Sequence, residues 1–261
     1  LKTAQMEREG QYLVFKQVPL RWQDTLRIMV HYTGVPSKPA RFGGVYFGEE
    51  GYIYNLGVRI GVSEPSDGHS WFPAHDVFTD KATFKYRIHT PDGRMGVANG
   101  MLTDVVHHNT GKKNEINTYH WELRQPIPPY LASFAIGDYI AVRDTVELLT
   151  VGVEVEPVPV SLYVPPEDTA EARASFEHLN TCVQKYTEWF GPYAWPRIGY
   201  VAVPMKGGAM EHATNIAYPQ NAIDGGHRYD ELWAHELSHS WFGNYTTCWG
   251  PEEMWLNEGW A

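Results

Sequence analysis

His235-Glu236-Leu237-Ser238-His239 stands near the end of this 261-residue chain, and eighteen residues (240–257) separate it from Glu258. On an α-helix, positions i and i+4 project from one face, so this stretch predicts a helix that directs two imidazoles at one point. Zinc binds imidazole nitrogen and carboxylate oxygen, and a catalytic zinc keeps one position open for water. We therefore predict one zinc ion per chain, held by His235, His239 and Glu258, with Glu236 as the base that takes a proton from water.

A histidine pair of this kind can also arise by chance, in roughly one chain per hundred of this length. Two histidines on a helix face are equally compatible with surface or satisfied core residues. The glutamate downstream favours the metal, and so does a second stretch upstream, Gly207-Gly208-Ala209-Met210-Glu211-His212.

Together these stretches resemble the zinc aminopeptidases (gluzincins) that include aminopeptidase N and the leukotriene A hydrolase. The signature of that family is Gly-x-Met-Glu-Asn, then H-E-x-x-H, eighteen residues and Glu. Asn-Glu-Gly-Trp-Ala at 257–261 is similar to the family's Asn-Glu-Gly-Phe-Ala. His212 stands where the family usually has Asn, as a substitute hydrogen-bond donor or as a source of pH sensitivity near neutrality.

The resemblance implies a zinc-dependent aminopeptidase acting on peptides with a free N-terminus. Glu211 and Glu64 would bind the substrate ammonium group, because a buried charge needs an opposite charge. Glu64 lies nine residues before Pro73 in a Trp-Phe-Pro-Ala-His-Asp stretch at 71–76, which is similar to a family stretch. An edge strand at 207–212 would pair with the peptide. The remaining predicted substrate-binding residues are Gly207, Gly208, Ala209 and Met210.

The first part of the chain has the alternation of β-strands. Apolar and polar residues alternate with period two in Thr25–Tyr32 and Ala82–His89. The glycines from Gly43 to Gly61 divide the chain through Val62 into short segments, which indicates hairpins. Val151–Val164 contains Pro157 and Pro159, which favour an edge strand or a break. We predict an all-β sandwich over 1–164, lacking its first strands.

The pattern changes after Pro165-Pro166. Asp168 and Glu171 predict a capped helix start, and apolar residues at spacings of three and four continue the helix from Phe176 to Phe190. A strand at Arg197–Val203, an extended segment at 209–218 and a helix at Tyr229–Gly243 follow, with Pro251 opening the helix of Glu258. The chain is thus predicted to be α+β, and the resemblance implies that 165–261 is the first part of a thermolysin-like α/β catalytic domain.

Composition limits the classes of binding partner and the cellular settings that the chain fits. A net charge of -10 without a Lys/Arg run excludes a nucleic-acid surface. No apolar run reaches the roughly eighteen residues that span a bilayer. Cys182 and Cys248 form no metal pattern, so free thiols are expected. The first residue is Leu1, so a signal peptide is not excluded; soluble cytoplasmic and periplasmic or secreted locations all stay open, as does the oligomeric state.

Two other functions stay open at this point. One is epoxide hydrolysis within the same family, and the other is a catalytically silent protein with a structural zinc. The resemblance also implies that the chain is an internal piece of a larger enzyme, with the oxyanion-stabilising tyrosine beyond Ala261. We therefore expect the piece to have little activity by itself.

Overall fold

A computed structural model describes residues 5–10, 12–16, 18, 21, 25–36, 42–48, 51–62, 65–148 and 156–261. The chain divides into two compact units, Leu1–Val35 and Pro36–Ala261. In the first unit, β1 (Gln5–Glu9) and β2 (Tyr12–Lys16) form an antiparallel hairpin. Gly10 makes its turn with φ of 62°, a conformation that suits glycine.

The strand predicted at Thr25–Tyr32 is wrong, since these residues pair with none of the described strands. Leu26 and Ile28 were expected on a buried face but are 45% and 52% exposed. Alternation tells which side chains share a face, but a strand also needs a neighbour for its backbone, which a local pattern does not supply.

The second unit begins with two antiparallel sheets. Strands β3 (Gly44–Phe47), β4 (Ile53–Leu56), β5 (Ala82–Pro91), β6 (Met95–Ala98), β7 (Met101–His108), β8 (Ile116–Ile127) and β9 (Phe134–Gly137) follow in chain order. One sheet has the order β3-β4-β9-β6 and the other the order β5-β8-β7. The hairpins predicted from the glycines between Gly43 and Gly61 include the pair β3–β4, and β7 and β8 are also antiparallel.

The two sheets bury a shared aromatic core. Tyr119, Trp121 and Leu123 alternate along β8 and are all buried. The Trp121 indole nitrogen donates to the Gly96 carbonyl of β6 at 3.0 Å, which joins the sheets. Pro91-Asp92-Gly93 turns the chain between β5 and β6, with positive φ at Asp92 and Gly93. These strands have the arrangement predicted for a sandwich.

A third sheet joins residues on both sides of position 164. Its strands are β10 (Ile140–Val146), β11 (Val158–Val164), β12 (Ile198–Val203) and β13 (Ile216–Pro219), in that order. β10 and β11 are antiparallel, whereas β11, β12 and β13 are parallel. The sheet therefore crosses the boundary that we placed between 164 and 165.

The sequence favoured an edge strand or a break around the prolines. The edge strand is wrong, because β11 is an inner strand, whereas the break agrees with a strand that begins at Val158, directly after Pro157. Pro159 fits because it pairs only with Thr145 of β10, and pairing with β12 starts at Val160. Residues 151–155 of the predicted segment lie outside the described residues.

Among its described residues, the unit also contains four α-helices: α1 (Thr169–Ser175), α2 (Leu179–Phe190), α3 (Asp230–Ser238) and α4 (Met254–Trp260). The helix predicted through Phe176 is interrupted there. Asp168 is at the predicted N-cap position, but its side chain accepts from Gln220 at 2.9 Å instead of capping the backbone. The metal helix is shorter than predicted, because the chain tightens into turns after Ser238.

Aromatic contacts fix α3 against the third sheet. Phe176 packs on Tyr200 of β12, Tyr218 of β13 and Trp233 of α3, with ring centroids 4.8, 5.6 and 5.8 Å away. The Tyr200 hydroxyl donates to the Trp233 carbonyl at 2.7 Å. α3 is thereby anchored by buried rings and a buried hydrogen bond.

The fold is α+β, as predicted. Both cysteines are free thiols. Within the described ranges, no helix has the length and apolar character required to cross a bilayer.

Candidate metal centre and substrate cleft

α3 and α4 bring together the three predicted zinc ligands. The Nε2 atoms of His235 and His239 are 3.2 Å apart. Oε2 of Glu258 lies 3.5 Å from the first and 3.8 Å from the second. The neighbouring carboxylate raises the pKa of His235, and His235 lowers the pKa of the Glu258 carboxyl. Three potential ligand atoms therefore converge on one point.

These spacings fit a zinc ion. Zinc–ligand bonds of about 2.0–2.1 Å at tetrahedral angles separate two ligand atoms by about 3.3 Å. The three observed distances lie close to that value. His239 is almost fully buried, while His235 and Glu258 are 35% and 52% exposed at their side chains, so the cluster is open on one side.

Asn257 orients His239. Its side-chain oxygen lies 2.7 Å from Nδ1 of His239, and the Phe242 carbonyl lies 3.1 Å from the same atom. Two acceptors at Nδ1 place the proton there and leave the Nε2 lone pair for a metal. The predicted ligand thus has the support that metal-binding histidines usually have.

Glu236 and Glu211 are buried beside the cluster. Each is 5% exposed, and both carboxylates lie within 4.8 Å of a ring nitrogen of His239. Burial raises the pKa of both groups, and the Glu211 charge raises that of Glu236 further. Oε2 of Glu236 has no hydrogen-bond partner among the described residues. A buried oxygen of this kind requires a partner, and a water or substrate atom at the metal would supply it.

A cavity of about 730 Å³ contains the cluster. It is lined by the predicted residues Gly207, Gly208, Ala209, Met210, Glu211, His235, Glu236, His239 and Glu258. Its volume falls in the range typical of ligand pockets. Glu64 lies outside the described residues, so its predicted role stays a prediction.

The extended segment predicted at 209–218 is present only in part: residues 216–218 belong to β13, but the chain turns back before them. Met210 and Ala217 exchange two backbone hydrogen bonds of 3.0 Å, and Thr214 adopts φ of 60° in the turn. Positive φ is uncommon for a β-branched residue. The Thr214 hydroxyl accepts from the Gly100 backbone at 2.6 Å, which holds this turn. An edge strand was predicted at 207–212. Among these residues, the structure shows backbone bridging at Met210 and no strand.

The structure supports neither of the two roles suggested for His212. Its Nε2 accepts a hydrogen bond from the Gly57 backbone at 3.2 Å, so it acts as an acceptor there. Full burial lowers the pKa of His212 to about 3. The side chain is therefore neutral around neutrality, and the expected pH sensitivity in that range is wrong.

The sequence left part of the cleft unpredicted. Phe42, Val58 and Arg59 also line the cavity, and Arg59 lies 3.2 Å from Asp67. They are about 150 residues from Glu211 in sequence, and no local pattern connects such distant segments. Asn257 was also missed, although an amide next to a ligand glutamate is a usable signal.

Comparison with known proteins agrees with this geometry. Residues 174–261 match the Peptidase family M1 domain. Endoplasmic reticulum aminopeptidase 1 of Homo sapiens is 27% identical over 276 residues, covering 100% of this chain and 28% of that protein. Aminopeptidase B of Homo sapiens is 30% identical over 200 residues, covering 73% of this chain and 27% of that protein. The chain spans about a quarter of the length of these relatives.

A solved structure extends the likeness to the fold. The M1 zinc metallopeptidase from Deinococcus radiodurans has a TM-score of 0.69 and 25% identity, covering 87% of this chain and 48% of that chain. The likeness in structure is therefore broader than residues 174–261. Residues 174–261 thus match the peptidase family M1 domain, and the chain is similar to aminopeptidases and to an M1 zinc metallopeptidase.

Proposed function

We propose that the whole protein is a zinc-dependent aminopeptidase that removes N-terminal residues from peptides. The observation that carries the proposal is the buried Glu236 carboxylate, whose unpartnered oxygen adjoins the cluster of His235, His239 and Glu258. The relatives' names, which are those of aminopeptidases, support the same function.

His235, His239 and Glu258 would hold the zinc ion. When bound, zinc polarises a carbonyl and lowers the pKa of a water molecule. Glu236 accepts the proton that this water loses on attacking the peptide carbonyl, and then donates it to the leaving amine. Its raised pKa suits both tasks, since a group that is too weak a base would not take the proton.

Glu211 binds the free N-terminus of the substrate. An ammonium group loses its water on entering the cavity, and a buried carboxylate compensates for that loss. Glu64 is proposed as its partner on the resemblance alone. Gly207, Gly208, Ala209 and Met210 would border the peptide, with the two glycines allowing its backbone to approach closely.

The two other functions have less support. A structural zinc takes four protein ligands, whereas the described residues bring three to this point beside an open cavity. A structural site also has no use for a buried base. No observation among the described residues favours epoxide hydrolysis over peptide hydrolysis.

Glu236→Gln tests the proposed base. We expect hydrolysis of a free-amine peptide by the whole protein to fall about 100- to 10,000-fold, because the amide cannot accept the proton. Zinc content, measured by atomic spectrometry, should stay unchanged, because Glu236 is not a proposed ligand. Glu231→Gln, an exposed change on the same helix, is the matched control and should keep the activity. Full activity in Glu236→Gln would contradict the assignment.

A further inference from the structure

A second group of metal-ligating side chains lies on the surface near the start of α3. Glu177 and His178 occupy the turn between α1 and α2, and His227 precedes α3. One ligand atom from each of the three lies within 4.8 Å of the others. The two imidazole rings stack with centroids 4.3 Å apart. Two imidazoles and a carboxylate are a ligand set for zinc and related divalent metals.

Asp230 holds both rings in place. Its Oδ2 lies 2.9 Å from Nδ1 of His178 and 3.6 Å from Nδ1 of His227. A carboxylate at Nδ1 keeps the proton on that atom and leaves Nε2 as the metal-binding nitrogen. Nε2 of His227 is also the atom that lies 3.6 Å from the Glu177 carboxylate. The side chains are thus oriented for binding before any metal arrives.

The surroundings fix this arrangement. The buried Trp233 donates its indole N–H to Oδ1 of Asp230 at 3.1 Å, so the orienting carboxylate is itself held. The Gly225 backbone donates to the Ser175 hydroxyl at 3.0 Å, which ties the loop before His227 to the end of α1. Such support reduces the side-chain ordering that metal binding would require.

We propose that Glu177, His178 and His227 form a second binding site, for a divalent transition metal such as zinc, with Asp230 as the positioning residue. The site is separate from the cluster of His235, because Asp230 precedes His235 by about 7.5 Å along α3 and faces a direction about 140° away. The exposed ligands leave room for water and make this the weaker of the two sites.

A metal here connects the α1–α2 turn to the segment just before α3, the helix that carries Glu236. Binding to the folded state alone therefore stabilises the anchorage of that helix, and the melting temperature rises with metal concentration. This consequence does not depend on the proposed peptidase activity.

Calorimetric titration of the metal-stripped whole protein with Zn2+ tests the proposal. We expect two classes of site, of which the weaker disappears in His178→Gln and in His227→Gln. Asp230→Asn should weaken that class about 10- to 100-fold. Each of the two histidine variants should keep the tight class of site and should still hydrolyse peptides. Each should lose the further rise in melting temperature that the unchanged protein shows once its tight site is saturated.

The matched control is His75→Gln, which removes an exposed histidine paired with Asp80 at 3.0 Å. It should bind zinc as the unchanged protein does. A single class of site in the unchanged protein would overturn the proposal even if a variant failed to fold. A weaker class that survives in both histidine variants, or that His75→Gln also removes, would overturn it too.

Discussion

Asn257 contributes to the metal centre through one hydrogen bond, that from Nδ1 of His239 at 2.7 Å. Asn257→Ala removes this acceptor, so the ring loses part of its orientation and its basicity. We predict that zinc affinity falls about 10- to 100-fold, measured by competition with a chelator of known affinity. Asn257→Asp keeps an acceptor oxygen at the same place and is the matched control. Equal affinity in the alanine variant and the unchanged protein would contradict this role.

His212 makes the stability of the fold depend on pH below neutrality. Its pKa in the folded chain is about 3, against 6.5 for an ordinary histidine, because burial disfavours the charged ring. Between these values the unfolded chain binds a proton that the folded chain does not. Its contribution is therefore complete above pH 6.5 and is lost as pH falls toward 3.

His212→Asn should remove this dependence. At about pH 5, the unchanged protein should have lost roughly 2 kcal/mol of unfolding free energy that the variant keeps. Urea unfolding of both proteins between neutral pH and pH 5 measures the difference. Packing changes in the variant add an offset that does not vary with pH. Parallel pH profiles would contradict the prediction.

At the residue scale, sequence spacing predicted which ligands meet but not their surroundings. Two histidines four positions apart on a helix must share a face, so the meeting of His235 and His239 follows from helix geometry. The hydrogen bond between Gly57 and His212 joins residues 155 positions apart. No spacing rule covers such a contact, or the burial that lowers the pKa of His212.

Arg197, just before β12, joins the third sheet to the turn between β6 and β7. It is 2% exposed and donates to the carbonyls of Gly100 at 2.8 Å and Ala98 at 3.0 Å. Its guanidinium also lies 5.0 Å from the Trp121 ring and 5.4 Å from the Tyr163 ring. Burial lowers the pKa of Arg197, yet the carbonyls and rings stabilise its charge.

Arg197→Met keeps the apolar stem and removes both hydrogen bonds. We predict that the free energy of unfolding falls by roughly 3 kcal/mol, because two buried carbonyls lose charged donors. Urea denaturation measures it, with the exposed Arg143→Met on β10 as the matched control of little effect. A loss no greater than that of the control would show that Arg197 does not join these elements.

Element types were predicted more accurately than element partners. Ala82–His89 and the helix opened by Pro251 were found from periodicity and proline placement. The segments with which each strand pairs were not predicted, and two errors followed from this. Thr25–Tyr32 alternates without pairing with a described strand, and the segment at 209–218 pairs with itself through Met210 and Ala217. A local pattern reports exposure, whereas pairing depends on segments distant in sequence.

At the scale of the molecule, the third sheet crosses the boundary that the change of sequence pattern suggested. The shift from strands to helices comes after Val164, but β11 immediately before it pairs with β12 beyond it. The change of pattern marks the start of the helical segment that contains α1, but it does not mark the end of the sheet. The boundary between 164 and 165 therefore stays a prediction about chain organisation.

The cleft likewise belongs to the whole second unit. Its walls combine Phe42, Val58 and Arg59 with the ligand helices, so side chains distant in sequence surround the buried carboxylates. We expect a substrate to be recognised by its free ammonium group, through Glu211, and to be hydrolysed at the point where Glu236 meets the metal ligands.

The most direct test compares one peptide with a free N-terminus and its N-acetylated form, each with the whole protein and with or without a zinc chelator. We predict cleavage of the free peptide alone, and loss of that cleavage when zinc is removed. The acetyl group removes the charge that we propose Glu211 binds, and the chelator removes the ion that we propose His235, His239 and Glu258 hold. Equal cleavage of both peptides, or cleavage that persists without zinc, would contradict the account.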